Sequence, residues 1–485
     1  MNKTIDREVL TPATGILQYR PACLWLTGCA LVGLAMAFLF DDSCQLDGGV
    51  HYLFAKWAWK HHELFVGVWS RPLYTLLYSI PALAGYRAAR LFTVLICLAI
   101  GWQTWRMAAD LKIERAPLAI AFVWLQPSFF LFCADNMTEP VFALTFIIAL
   151  RLHHRGRFRA GMLVASLLIL ARPEGLFLGL LWGIWVIANQ GLKFAINLPL
   201  LAVGSFIWWA TAWLITGDPL FIKNNWPPNW PLTGTVYGAA GLLAYPIRLP
   251  EITGLLLVVP FLYGLVSSLK LREYFTLTST FLLIFILHTI LRAYGLLGSA
   301  GYPRYMIAIS PAIAIITLTG WNRIASSFSR LPGKISICSA VVIIAFSAFG
   351  NFLYADGAEW SRDARAISDA YQWFRNHPQP ITRLIWSEPY ACILFDRDPW
   401  ENPVFTGNRD DNLELLRNSP SGTVAVWDLR VGPKSNGLIV DDFEKAGFLR
   451  LYSRSFLLEG YILERPWFGY GGPRHQEIFL LYKTK

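Results

Sequence analysis

The feature that most constrains this chain is its succession of apolar runs, each near the length of a bilayer crossing and separated by short polar loops. A helix needs about 20 mostly apolar residues to cross the hydrocarbon core, with roughly 17 to 25 tolerated. Water is absent there, so only helices and closed barrels satisfy every backbone group. Spans are therefore expected near 22–40, 88–107, 117–133, 138–152, 160–171, 174–189, 195–215, 252–269, 274–291, 303–320 and 335–354. That makes about eleven on the length rule, of which the fourth to sixth are short or split by proline. Composition agrees: 55% of the 485 residues are hydrophobic, 15% are charged and the mean hydropathy is +0.42. Such a chain has too little polar surface for a soluble globule and reads as a polytopic helical membrane protein.

The net charge of +10 could serve nucleic acid, but the basic residues do not form one face. They fall in every second loop: Lys3, Arg7 and Arg20; Arg106, Lys112 and Arg115; Arg151 to Arg159; Lys193; Lys270 and Arg272; Arg323, Arg330 and Lys334. This is the positive-inside pattern, which puts the N-terminus in the cytoplasm and excludes a nucleic-acid partner. The first span reads as uncleaved, because no small-residue cleavage site follows it. Seven scattered cysteines without a CxxC pair give neither a disulfide framework nor a zinc site, and of these Cys44 and Cys392 fall on the outer side.

Two domains are expected. Residues 1–354 form the membrane part. In 355–485 charges become frequent and apolar runs shrink to strand length. ARAISDAYQWFRNH has helical spacing, whereas TRLIWS, GTVAVWDL and EIFLLYKT read as short buried strands, giving a small extracytoplasmic α/β domain.

The outer loops carry ionisable residues that cost free energy so near the bilayer and are functional candidates for that reason. The first outer loop holds Asp41, Asp42, Asp47, His51 and Arg71. Asp47 leads an amphipathic helix-like stretch, so capping competes with catalysis as its role. PLYTLLYSIPAL, bracketed by Pro72 and Pro81, is too short to span and is expected in the interface, placing Arg71 at headgroup depth. A guanidinium there suits a phosphate, and snorkelling is the plainer alternative. ADNMTEP supplies Asp135 and Glu139, with capping again the competing reading. Arg172-Pro173-Glu174 interrupts two apolar runs and reads equally as a salt bridge or a phosphate site. The loop 216–250 is rich in Trp, Pro, Asn and Gly, which fits an interfacial belt better than a sugar platform. His61 and His62 point apart on a helix and have no evident third ligand.

Asp47 with an aromatic after it and Ala55 eight residues on, then Arg71-Pro72-Leu73-Tyr74, then Ala88-Ala89-Arg90-Leu91, resembles the first outer loop of the C-type-fold membrane glycosyltransferases. The branch it looks most like contains protein O-mannosyltransferases and the aminoarabinose transferase acting on lipid A. Two departures stand out: Gly48 follows Asp47 where that branch has Glu, and Arg71 precedes one proline rather than two. The resemblance implies transfer of a sugar from a polyprenyl-phosphate carrier to an acceptor hydroxyl of a glycan, lipid or protein, outside the inner membrane. It implies a base at Asp47 or Asp42, of which the downstream spacing fits Asp47. It also implies a second acidic site at Glu139 or Asp135, and donor-phosphate contacts from Arg304 and Tyr305, which Arg71 and Arg172 join as phosphate candidates on their own residues. It fixes no cofactor and leaves a divalent metal open. A transporter would instead place charges at mid-membrane in paired broken helices. A polysaccharide polymerase or ligase would need no acid after the first helix.

Overall fold

The computed structural model describes residues 12–39, 44–226, 238–297, 299, 301–327, 333–356, 359–401, 408–429, 431–458 and 474–484. It is the expected helical membrane protein with a small C-terminal sheet domain. Asp41 and Asp42 lie outside the described residues, as does 227–237 of the Trp-rich loop.

The chain enters on α1 (Pro12–Leu39), a near-uniformly apolar rod. The first outer loop then makes two short helices, α2 (Leu46–Trp57) and α3 (Pro72–Leu83), before α4 (Tyr86–Asp110) recrosses. In α3 one face buries Tyr74, Thr75, Tyr78 and Ser79 while Leu76, Ile80 and Leu83 stay exposed, as expected of a helix lying in the interface. Next come α5 (Leu118–Trp124), α6 (Pro127–Phe132), α7 (Glu139–His154), α8 (Phe158–Ala165), α9 (Leu168–Ala171) and α10 (Gly175–Gln190). The 117–133 run is thus two helices. Pro127 drives Gln126 into extended backbone and opens α6 at its first position.

After α11 (Val203–Thr216) come four short pieces, α12 (Phe221–Asn224), α13 (Gly238–Leu242), α14 (Ala244–Ile247) and α15 (Leu249–Thr253), then α16 (Val258–Ser268) and α17 (Phe275–Ala293). The expected 252–269 span is one limb of a corner: the helices on either side of Gly254 meet at 106°. Gly254 sits at φ +99, open to glycine, and a Cβ there would crowd the Leu125 carbonyl at 3.0 Å. α18 (Ser310–Ser327) continues a 3₁₀ turn from Pro303, and α19 (Gly333–Asp356) completes the bundle. Among the described residues five helices are long and apolar enough to cross alone: Tyr19–Leu39, Tyr86–Asp110, Leu192–Thr216, Arg272–Ala293 and Pro303–Ser327.

The tail contributes α20 (Glu359–Asn376), α21 (Pro389–Phe395) and a four-stranded sheet in the order β1-β2-β4-β3. β1 (Arg383–Trp386) is parallel to β2 (Thr423–Asp428), whereas β4 (Arg474–Lys483) runs antiparallel to both β2 and β3 (Phe448–Leu458). The sheet domain sits on the first outer loop. Lys60 reaches Asp398 at 3.0 Å and also pairs with Glu401, His61 Nε2 lies 2.9 Å from Asp398, and Lys56 pairs with Asp396. Trp400 packs on Phe54 and His61, so α2 is held from above by the tail.

Candidate active site

The site begins with how α2 starts. Gln45, not Asp47, caps it: the Gln45 side-chain oxygen accepts from the backbone N–H of Asp47 at 2.7 Å and of Gly48 at 3.2 Å. With the orphan donors of the first turn satisfied, the Asp47 carboxylate is free to project sideways, where it pairs with Arg304. Burial raises its pKa, and Arg304, His51 and Arg172 more than offset this, so the group stays below the ordinary carboxylate value. One turn on, His51 is buried, and burial together with Arg71 drives its pKa down to about 3, so the ring is neutral at pH 7.

Gly48 has a reason of its own. A Cβ there would stand 2.6 Å from Oδ1 of Asp135, so the glutamate that the resemblance expects enters only if the Asp135 carboxylate shifts. Asp135 sits beneath α2, accepting from the backbone N–H of Asn136 at 2.7 Å and of Gln45 at 3.2 Å. Burial pushes its pKa up to about 6, against the pull of Arg90. Asp135 therefore ties two loops together and is not among the residues lining the cavity described below.

Glu139 opens α7 and is fully buried. Its Oε1 lies 2.8 Å from Arg172 Nη1 and 3.7 Å from Arg304 Nε. Arg172 also holds Glu174 at 2.8 Å, and His288 Nε2 reaches the same Glu174 oxygen at 3.3 Å. Tyr305 stacks near His288 at 5.0 Å and lies under the Arg172 guanidinium at 5.1 Å, while Tyr302 lies under that of Arg304 at 4.8 Å.

Arg71 is the exception in this network. It is buried and makes no ion pair among the described residues. Its Nη1 donates to the Val68 carbonyl at 3.1 Å and its Nε has no partner. Its backbone is left-handed, φ 57, a cost of order 1–3 kcal/mol for a side-chain-bearing residue. Burial and the neighbouring Arg172 pull its pKa down to about 10, which leaves it charged.

These groups converge on one cavity of about 280 Å³. Asp47, Arg71, Glu139, Arg172, Arg304 and Tyr305 all line it, though they span 259 positions of sequence, from 47 to 305. Two further lining residues complete the charge pattern. Glu174 takes part as an acid in its own right. His288, inside an apolar run, is one the sequence reading passed over, although a histidine at the outer end of a span was the available signal. Among the described residues no three His, Cys, Asp or Glu side chains converge on a metal position.

No protein-family model matches the sequence, and no curated protein is similar to it at a significant level. Solved structures do superpose. The crystal structure of ArnT from Cupriavidus metallidurans in the apo state aligns with a TM-score of 0.60 at 14% identity, covering 94% of this chain and 98% of that one. The structure of the same protein bound to undecaprenyl phosphate aligns with a TM-score of 0.57 at 13% identity and the same coverage. The chain has the C-type membrane glycosyltransferase fold. The membrane glycosyltransferase fold covers the sheet domain as well as the helices, since 94% of the chain aligns. At this identity the likeness speaks for the fold, and the roles of individual residues rest on the cavity's own geometry.

Proposed function

We propose that this protein is a membrane glycosyltransferase that moves a sugar from a polyprenyl-phosphate carrier to an acceptor hydroxyl, with inversion and with Asp47 as general base. The observation that carries the reading is the charge pattern of the cavity. Two arginines are neutralised by acids, and the third, Arg71, is a buried cation with an unpartnered Nε. A buried donor without a partner costs about 1–3 kcal/mol, which a bound anion recovers. A phosphodiester fits it, because a guanidinium offers paired donors to phosphoryl oxygens. The ArnT structure with undecaprenyl phosphate shows that this fold accommodates such a lipid.

In the reaction the acceptor oxygen attacks the anomeric carbon as the bond to phosphate breaks, and the acceptor proton passes to Asp47. Charge grows on the departing phosphate, where Arg71 stabilises it and Arg304 is within the same cavity. Phosphate drawing on Arg304 loosens its hold on Asp47, so donor binding strengthens the base. Glu139, held by two guanidiniums, positions Arg172 and Arg304 rather than acting as a nucleophile.

The cavity faces the outside of the inner membrane in this reading. α7 leads away from Glu139 to His154, and the basic run follows it at the far end, which the positive-inside rule assigns to the cytoplasm. The sheet domain, residues 355–485, packs on α2 through Asp396 and Trp400 and so shares the cavity's side, while 1–354 form the catalytic membrane part. Purified protein is expected to bind undecaprenyl phosphate in a tryptophan-quenching or native mass assay, and Arg71→Gln to weaken binding. Wild-type protein that binds none defeats the donor assignment.

A further inference from the structure

At the opposite ends of the helices that wall the candidate active site lies a second cavity, of about 890 Å³. α7 runs from Glu139 in the first cavity to His153 and His154 in the second. α10 runs from Phe177 to Trp185 and Gln190, and α17 returns from Thr276 to His288. The length of α7 separates the two by about 24 Å. They are therefore distinct sites on opposite membrane faces, and nothing in the sugar-transfer chemistry uses the second.

Its walls mix apolar side chains with polar ones, His153, His154, Asn189, Gln190, Arg272 and Thr276, which a bundle end facing lipid does not need. His154 Nε2 lies 2.9 Å from Thr276 Oγ1, and His153 Nε2 lies 3.4 Å from the Asn189 amide nitrogen. His153 is 4% exposed and its Nδ1 has no partner. Exposed cations stand in the segments next to the lining helices: Arg155, Arg157 and Arg159 after α7, Lys193 after α10, and Lys270 with Arg272 before α17, of which Arg272 lines the cavity. Arg155 is paired with Asp110 at 2.9 Å. The other five make no ion pair among the described residues, and Glu273 is the one acid in the lining. The positive-inside rule accounts for cations on this face but not for a cavity that carries polar side chains there.

A second feature leads into the cavity from the side. Leu176, Leu180 and Ile184 are 54%, 65% and 60% exposed and lie at i, i+4, i+8 on α10, and the next residue of that stripe, Ala188, lines the cavity. An apolar track of roughly 12 Å thus runs along the helix and ends at donors and cations. This is the shape of a phospholipid: acyl chain on the track, phosphate at the head.

We propose that the second cavity holds the phosphate-bearing headgroup of an anionic phospholipid from the leaflet opposite the candidate active site. Arg272 supplies the guanidinium, Asn189 and Gln190 supply neutral donors, and the surrounding lysines and arginines select a net negative headgroup over a zwitterionic one. The site stands independently of the proposed sugar transfer, since it shares no residue with the first cavity.

The test is native mass spectrometry of the full-length protein in detergent, titrated with phosphatidylglycerol, with phosphatidylcholine of the same acyl chains, and with inorganic phosphate. Wild-type protein retains phosphatidylglycerol in preference to phosphatidylcholine. The double variant Lys270→Ala/Arg272→Ala binds it about thirtyfold more weakly, the weight of two interfacial cations. Arg20→Ala removes a cation from the same face but away from the cavity and changes binding by less than about threefold, because exposed charges beyond a Debye length are screened. Ala188→Trp fills the cavity without altering charge and also weakens binding, and an unchanged melting profile shows that each variant is folded. Equal retention of the two lipids overturns the proposal, as does an equal loss in Arg20→Ala. Displacement of phosphatidylglycerol by inorganic phosphate overturns it too, marking a soluble anion site.

Discussion

Glu139→Gln is the perturbation that probes the charge network most sharply. Glu139 is fully buried and shared by two guanidiniums, with Arg172 at 2.8 Å and Arg304 at 3.7 Å. Removing its charge while keeping its shape leaves both cations under-compensated, although Arg172 keeps Glu174 and Arg304 keeps Asp47. Breaking a buried pair costs roughly 3–5 kcal/mol. Unfolding entropy near 2.1 cal/mol/K per residue makes that a fall of about 3–5 °C in melting midpoint for a chain of this length. Activity falls as well, for a separate reason. Arg304, released from Glu139, leans wholly on Asp47 and weakens it as a base, which should cost roughly tenfold to hundredfold of the 10²–10⁴-fold that a general base supplies. The assay pairs dye-reported melting in detergent with initial rates of sugar transfer. Pairing with Arg172→Gln should give a double variant less destabilised than the sum of the two, since the pair is then removed from both sides. Strictly additive losses, or a Glu139→Gln protein with wild-type melting and rate, would refute the clamp.

Arg71→Gln should lower kcat/KM for the donor by about 10- to 150-fold, the worth of a charged hydrogen bond of roughly 1.5–3 kcal/mol, with melting unchanged or slightly raised because a buried cation without an ion pair is gone. Gly48→Ala drives a Cβ to within 2.6 Å of the Asp135 carboxylate and should destabilise by about 1–3 kcal/mol, whereas Gly28→Ala, with nothing within 4 Å, should not. Docking of the sheet domain should depend on pH through Asp398. Burial raises the pKa of this group, but His61, the Trp400 N–H and Lys60 hold it below the ordinary value. A depressed carboxylate stabilises fully above its free pKa, so docking should persist above about pH 4 and weaken as pH falls further. Hydrogen exchange across α21 reports this, and Asp398→Asn should remove the dependence.

Much of the fold was legible because one rule, bilayer length, acts on every segment. What it could not show is where a run breaks: Gly254 is one more small residue in an apolar stretch, and only the close approach of the Leu125 carbonyl reveals the corner. β1, β2 and β4 stand out as short apolar runs in the sequence. β3 escaped notice because Arg450 and Arg454 interrupt its pattern, which is affordable on the edge strand of the sheet. For the site, alternating basic loops put Asp47, Arg71, Glu139, Arg172 and Arg304 on one face, but a face is wide. Their convergence depends on the 3₁₀ turn that carries Arg304 and on Gln45 taking over the cap of α2. Capping and catalysis look alike in sequence because both need an acid before a helix. The competing acceptor, a glutamine two residues earlier, distinguishes them only in three dimensions.

The central claim is that Asp47 takes the acceptor's proton. The most direct measurement is sugar transfer from a polyprenyl-phosphate donor by Asp47→Asn protein, alongside Asp42→Asn and the wild type, with donor binding followed in parallel. Asp47→Asn should bind the donor yet transfer nothing, while Asp42→Asn transfers at the wild-type rate. Full transfer by Asp47→Asn would contradict the mechanism, and loss in Asp42→Asn alone would move the base to that residue.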